Sequence, residues 1–141
     1  MKLMNNFAYD ELYKAYSELK LDKARKEYLD KAYKDNLQLS YFVDTHFNER
    51  QLSYIYNKLK IGVDVSEFAK GCYSVSQMEE IYLGIQEGLD IAKYSDPAYT
   101  GGQMSLIRHG LKRALDISKY ANPKLRVYEM LEIYNKLLKV A

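Results

Sequence analysis

Apolar residues recur along this chain at helical spacing, and the spacing itself recurs. Met78, Ile81, Tyr82, Ile85 and Leu89 fall at i, i+3, i+4, i+7 and i+11. Met104, Ile107, Leu111 and Leu115 repeat the pattern 26 residues later, and Leu52, Ile55, Leu59 and Val63 precede it by 26. Intervals near 3.6 put such side chains on one face of a helix. Tyr73–Pro97, YSVSQMEEIYLGIQEGLDIAKYSDP, thus aligns with Tyr99–Pro123, YTGGQMSLIRHGLKRALDISKYANP, and with Phe47–Gly71, FNERQLSYIYNKLKIGVDVSEFAKG. A period of this length marks a tandem array of small units, each burying its apolar face against its neighbours.

Polar residues place the helix ends. One column holds Asp22, Asn48, Ser74 and Thr100, and then Arg126. A short side-chain oxygen there accepts from an unpaired backbone N–H. Three residues on come Gln51, Gln77, Gln103 and Glu129. Asn48/Gln51, Ser74/Gln77 and Thr100/Gln103 therefore read as capping boxes, with Leu52, Met78 and Met104 stapled to the residue before each cap. Gly62 and Gly88 stand where the helices should end, with Asn36 in the same column. Ala114 breaks that rule, so its helix is expected to end less sharply or to run on. Asp64, Asp90 and Asp116 read as the next N-cap, opening a short second helix of one or two turns. Asp96-Pro97 and Asn122-Pro123 end two of these.

The expected architecture is all-α, with two helices per 26-residue repeat stacked as a small solenoid-like array. It forms one domain, 1–141. Residues 1–20 supply a capping helix: Asn5 or Asn6 caps it, and Tyr9, Leu12, Tyr13, Tyr16 and Leu19 share a face. That stripe covers the open end of the array or offers a partner surface. Residues 21–46 are a degenerate repeat in which Lys26 replaces the staple residue, leaving its start less secure. Residues 47–72, 73–98 and 99–124 are full repeats. Residues 125–141 are a terminal helix in which Met130, Ile133 and Leu137 keep the register.

Composition narrows the setting. The chain has 141 residues and is 48% hydrophobic, enough for one core. No run is long and apolar enough to span a membrane, and no secretory signal pattern is present, so a cytoplasmic protein is expected. Fifteen tyrosines, no tryptophan and abundant lysine suit an AT-rich bacterial or phage genome. Charge is uneven. Residues 73–98 hold one basic and five acidic residues, and residues 99–141 hold eight and three. Intramolecular pairing, end-to-end association and a basic face for an anionic partner all fit that pattern.

Chemistry is sparse. His46 and His109 lie in different columns, and no zinc, redox or phosphate-loop motif occurs. Cys72, at a repeat junction, reads as a small buried or half-buried filler. Asp64, Asp90 and Asp116 belong to separate units, too far apart to share one metal. No catalytic, cofactor or metal residue is expected. Tyr56, Tyr82, Arg108 and Tyr134 share a column beside the apolar stripe. They read as exposed interface anchors or as the rim of the core. Gly84 and Gly110 lie inside helices, where glycine costs about 1 kcal/mol against alanine. Close packing by a neighbouring helix is the expected reason. Arg108, His109, Lys112 and Arg113, with Lys119 and Arg126 nearby, are the candidate contacts for an anion or nucleic acid.

The string QMxxIxxGLxxGLDISxYAxP, carried by Gln77–Pro97 and Gln103–Pro123, resembles a short helical repeat of small phage and mobile-element proteins from low-GC Gram-positive bacteria. The resemblance covers 47–124 well and the flanks weakly. Ala114 departs from its glycine, and Tyr82 stands where it has arginine. It implies a mobile-element setting, where small non-enzymatic proteins often block host defence nucleases. The expected partner is therefore a protein, such as a CRISPR effector bound by an anti-CRISPR inhibitor. The alternative is a nucleic-acid-binding accessory protein using the basic helix 101–115.

Overall fold

The computed structural model of the protein describes residues 6–141. Regular structure among them is entirely helical. The α-helices are α1 (Asn6–Ser17), α2 (Lys23–Lys34), α3 (Glu49–Lys60), α4 (Val75–Gln86), α5 (Gly101–Lys112) and α6 (Val127–Val140). The chain divides into two compact units, Met1–Gly71 and Cys72–Ala141. The division falls within one residue of the junction between repeats 47–72 and 73–98. In the first unit α1 and α3 pack against α2; in the second α4 and α6 pack against α5. No helix among the described residues is long and apolar enough to cross a membrane.

Capping sets every repeat's start. Asn48 Oδ1 accepts from the Gln51 N–H at 2.9 Å, and Gln51 Oε1 accepts from the Asn48 N–H at 2.7 Å. The Ser74/Gln77 and Thr100/Gln103 boxes are closed in the same way. Asp22 accepts from the Arg25 N–H at 2.9 Å, so α2 begins on its cap despite Lys26. At α6 the Arg126 side chain has only donors to offer, yet Glu129 still accepts from the Arg126 N–H at 2.9 Å. Asn5 lies outside the described residues. Asn6 is the first residue of α1, and its side chain also lies outside the description.

Four helices end alike. The N–H groups of Leu37, Val63, Leu89 and Leu115 reach back to the carbonyls of Ala32, Lys58, Gly84 and Gly110 at 2.9–3.0 Å. Each turn needs one left-handed residue. These are Asn36 (φ 59°), Gly62 (φ 85°), Gly88 (φ 69°) and Ala114 (φ 58°). The expectation that α5 would end less sharply or run on past Ala114 is thus corrected. The Leu115 N–H to Gly110 O bond closes the turn, and alanine bears the steric cost of a Cβ there.

The second element is smaller than expected. It is a 3₁₀ turn at Ser40–Val43, Ile91–Lys93 and Ile117–Lys119, and a simple turn after Val65. Asp64, Asp90 and Asp116 do cap it, but each accepts from the N–H two residues on, at 3.0–3.2 Å. That closes a tight Asx turn ahead of a single turn, the short end of the one or two expected. Tyr94 and Tyr120 follow, at 0% and 1% exposure. Their hydroxyls donate to the Glu80 and Leu106 carbonyls at 2.6 and 2.7 Å. Each hydroxyl lies against the glycine in the facing helix, Gly84 or Gly110. The crowding at these glycines therefore comes from the repeat's own tyrosine, not from a neighbouring helix.

The core follows the apolar stripe for two turns. Leu52, Ile55, Met78, Ile81, Met104 and Ile107 are all fully buried. Ile85, expected on the same stripe, is 40% exposed, although helical geometry sets it in line with the buried Met78 and Ile81. Tyr9 and Tyr13 of α1 are spent on α2 and the turn that ends it. Tyr13 and Tyr33 stack at 3.8 Å between centroids. Tyr13 donates to Asp30 and Tyr33 to Asp10, each at 2.7 Å. Tyr9 donates to the Leu37 carbonyl at 2.5 Å. α1 thus covers α2 within its unit. Leu19 lies beyond the end of α1 and is 47% exposed.

Candidate functional site

The polar residues that look most like a site prove to be engaged within the fold. Gln77 and Gln103 are buried, and each amide nitrogen reaches out of its own helix. Gln77 Nε2 donates to the Pro97 and Tyr99 carbonyls at 3.1 and 2.5 Å. Gln103 Nε2 donates to those of Pro123 and Leu125 at 3.1 and 2.7 Å. One amide therefore closes its own helix start and holds the chain entering the next repeat. Arg25 takes this column in the degenerate repeat. Its Nε donates to the Asp44 carbonyl at 3.0 Å and its Nη2 to that of Phe47. The capping pattern revealed the first half of the glutamine role. The second half joins residues 20 and 22 apart, and Arg25 shares no chemistry with the capping box that would have flagged it.

Arg108, read as an exposed interface anchor or as the rim of the core, is 8% exposed, which removes the first reading. Its Nε meets Glu80 Oε2 and its Nη1 meets Glu87 Oε1, both at 2.7 Å. Lys112 Nζ lies 2.6 Å from the other Glu87 oxygen. Lys112 and Arg108 hold the Glu87 carboxyl below the usual carboxylate range. This network ties α4 to α5. Intramolecular pairing thus accounts for part of the acidic repeat beside the basic one. The sequence signal was present, since Glu80 and Glu87 lie 28 and 21 residues before Arg108, close to one repeat period.

The first unit solves the same place with rings. Fifty-two residues earlier, Tyr28, Asp35, Tyr56 and Lys60 stand where Glu80, Glu87, Arg108 and Lys112 stand. Tyr28 and Tyr56 lie 5.7 Å apart between centroids, and Phe42 and Tyr56 lie 6.3 Å apart, edge to face. The Tyr56 hydroxyl donates to Asp35, and that bond to a carboxylate pushes its pKa up to about 12. Lys60 Nζ is 3.8 Å from the same carboxylate. Beside this cluster a cleft of about 360 Å³ opens between the last turns of α2 and α3. Leu37, Leu59 and Val63 line it together with Asp35, Asn36, Gln38 and Lys60. Ile61, the C-cap of α3, is 68% exposed.

The other candidates scatter. Tyr56 and Tyr82 are half-buried. Tyr134 is 7% exposed and meets Tyr120 edge to face at 6.2 Å, so it belongs to the core. His109 is half-buried, with Nδ1 2.7 Å from the Ser105 carbonyl, which fixes that nitrogen as a donor. Arg113, Lys119 and Arg126 are exposed at the end of α5, in the following 3₁₀ turn and at the start of α6. They do not converge with Arg108 on one surface site. Cys72 is exposed, which corrects its reading as a packing filler. Among the described residues no group of three or more His, Cys, Asp or Glu side chains is placed to hold a metal ion.

Comparison with protein-family models, with curated proteins and with solved structures finds no match for this chain.

Proposed function

We propose that this is a non-enzymatic helical-repeat protein of a phage or mobile element that acts by binding another protein. Inhibition of a host defence nuclease, in the manner of an anti-CRISPR protein, is the specific form of that reading. Its scaffold is a solenoid-like array of 26-residue units working in the bacterial cytoplasm. The observation that supports it most is Ile61, a 68% exposed apolar side chain that lies in the chain between Lys60 and Gly62, two residues lining the cleft that also holds Leu37, Leu59 and Val63. A large exposed apolar side chain is the kind of feature protein interfaces use as an anchor. The setting rests on the repeat's resemblance to mobile-element proteins.

The nucleic-acid reading of helix 101–115 is weakened, because Arg108 and Lys112 are held by Glu80 and Glu87. Arg113, Lys119 and Arg126 remain for it. One experiment separates the two. Tagged protein and its Ile61→Asp variant are incubated with lysate of a low-GC Gram-positive host, with and without nuclease. A partner retained through nuclease treatment and lost with Ile61→Asp is the expected result. A catch that vanishes with nuclease and ignores Ile61→Asp overturns the protein-binding reading. Restoration of phage plaques on a CRISPR-immune host expressing the protein would narrow the partner to the effector complex.

A further inference from the structure

Helix α6 carries two apolar faces, and the fold uses one. Met130 and Tyr134 are buried, and Ile133 and Leu137 are half-buried on the face that packs toward α5. A second stripe runs through Tyr128, Leu131, Asn135 and Leu138 at i, i+3, i+7 and i+10, the spacing of a helix–helix seam. Tyr128 is 57% exposed and Leu131 42%; Asn135 is exposed and Leu138 half-buried. At 100° per residue, Glu132, Lys136 and Lys139 all fall along one flank of that stripe. All three are exposed, and none joins an ion pair among the described residues.

We propose that this face of α6 pairs with the α6 of a second copy of the chain, antiparallel about a two-fold axis. The reason is self-complementarity. A two-fold axis at the level of Tyr134 and Asn135 sets Leu131 of each helix against Leu138 of the other. It also brings the same flank of both helices together. Glu132 of one copy then lies between Lys136 and Lys139 of the other, and the contact occurs twice. The two Asn135 amides meet near the axis, where a polar pair fixes register. An isologous contact of this kind closes on itself and leaves no free end. With only α6 supplying the seam, the area is below that of an obligate dimer, so the association is reversible and concentration-dependent.

Sedimentation equilibrium of the full chain tests this, from low micromolar up to about 1 mM, where even weak pairs populate. Reversible monomer–dimer behaviour that weakens with added salt is expected. Glu132→Lys should lower the association constant at least tenfold. Adding Lys136→Glu and Lys139→Glu to it should restore the dimer. These residues are exposed, and circular dichroism confirms that each variant is folded. A wild-type chain that stays monomeric at the highest concentration overturns the proposal. So does a dimer that survives Glu132→Lys, or a triple variant that fails to recover.

Discussion

Gly84 and Tyr94 exclude each other's outermost atom. A Cβ built on Gly84 would lie 1.9 Å from the Tyr94 hydroxyl oxygen, and one on Gly110 would lie 2.0 Å from that of Tyr120. The other repeats agree. Where the ring is Phe42 or Phe68, without a hydroxyl, the helix position is Ala32 or Lys58. The hydroxyl and the Cβ occupy the same space, and each repeat keeps one of them.

This exchange predicts a double-mutant cycle. Gly84→Ala should destabilise the protein by about 1–3 kcal/mol through overpacking, although alanine is the better helix former. In a Tyr94→Phe background the same substitution should cost clearly less, with only the contacts to Ile91 Cγ2 at 2.9 Å and the ring Cζ at 3.0 Å left to relax. Urea unfolding of the four proteins should give a coupling energy of about 1 kcal/mol or more. Additive effects would mean the two groups do not compete.

Arg108→Ala leaves two carboxylates, Glu80 and Glu87, without their guanidinium in a half-buried place. Loss of about 3–5 kcal/mol of stability is expected, as for breaking a buried ion pair. Lys112→Ala, at a 58% exposed side chain, should cost less than about 1 kcal/mol. Thermal unfolding followed by circular dichroism compares them. Equal, small effects would return Arg108 to the list of surface contacts.

Ala114→Gly should stabilise the chain by about 0.5–1 kcal/mol, since only the alanine bears a Cβ penalty at φ 58°. The same change at an exposed, right-handed helical residue such as Lys14 should destabilise. Denaturant midpoints decide the matter, and a lower midpoint for Ala114→Gly would contradict the left-handed turn.

Stability should fall at high pH. Burial pushes Tyr9 and Tyr120 up to about 12, and the bond to Asp35 does the same for Tyr56. Tyrosine in an unfolded chain titrates near pH 10. The folded state therefore holds these protons more tightly. That stability is fully present below about pH 10 and drains away as pH rises toward 12. Tyrosinate absorbance should lag behind ordinary titration and then rise together with loss of helicity. Full ionisation near pH 10 with the helices intact would contradict this.

How much of this was legible in the sequence depends on the reach of each interaction. The helix starts at Asn48, Ser74 and Thr100, the left-handed stops at Gly62 and Gly88, and the turns at Asp64, Asp90 and Asp116 are all set within about five residues of chain. Their chemistry is local, and the 26-residue period displays it several times over. The all-helical class follows from the same short-range signals. What the tertiary structure alone decided lies across that period. It is there that Gln77 reaches the carbonyls of the chain entering the next repeat, Arg25 takes over a glutamine's work, and Arg108 sinks between Glu80 and Glu87 instead of facing solvent. Arginine at a helix edge is equally compatible with a partner surface and with an internal ion pair. Only the position of the neighbouring helix, fixed by packing of Met78, Ile81, Met104 and Ile107, brings the carboxylates within 2.7 Å and settles which one it is.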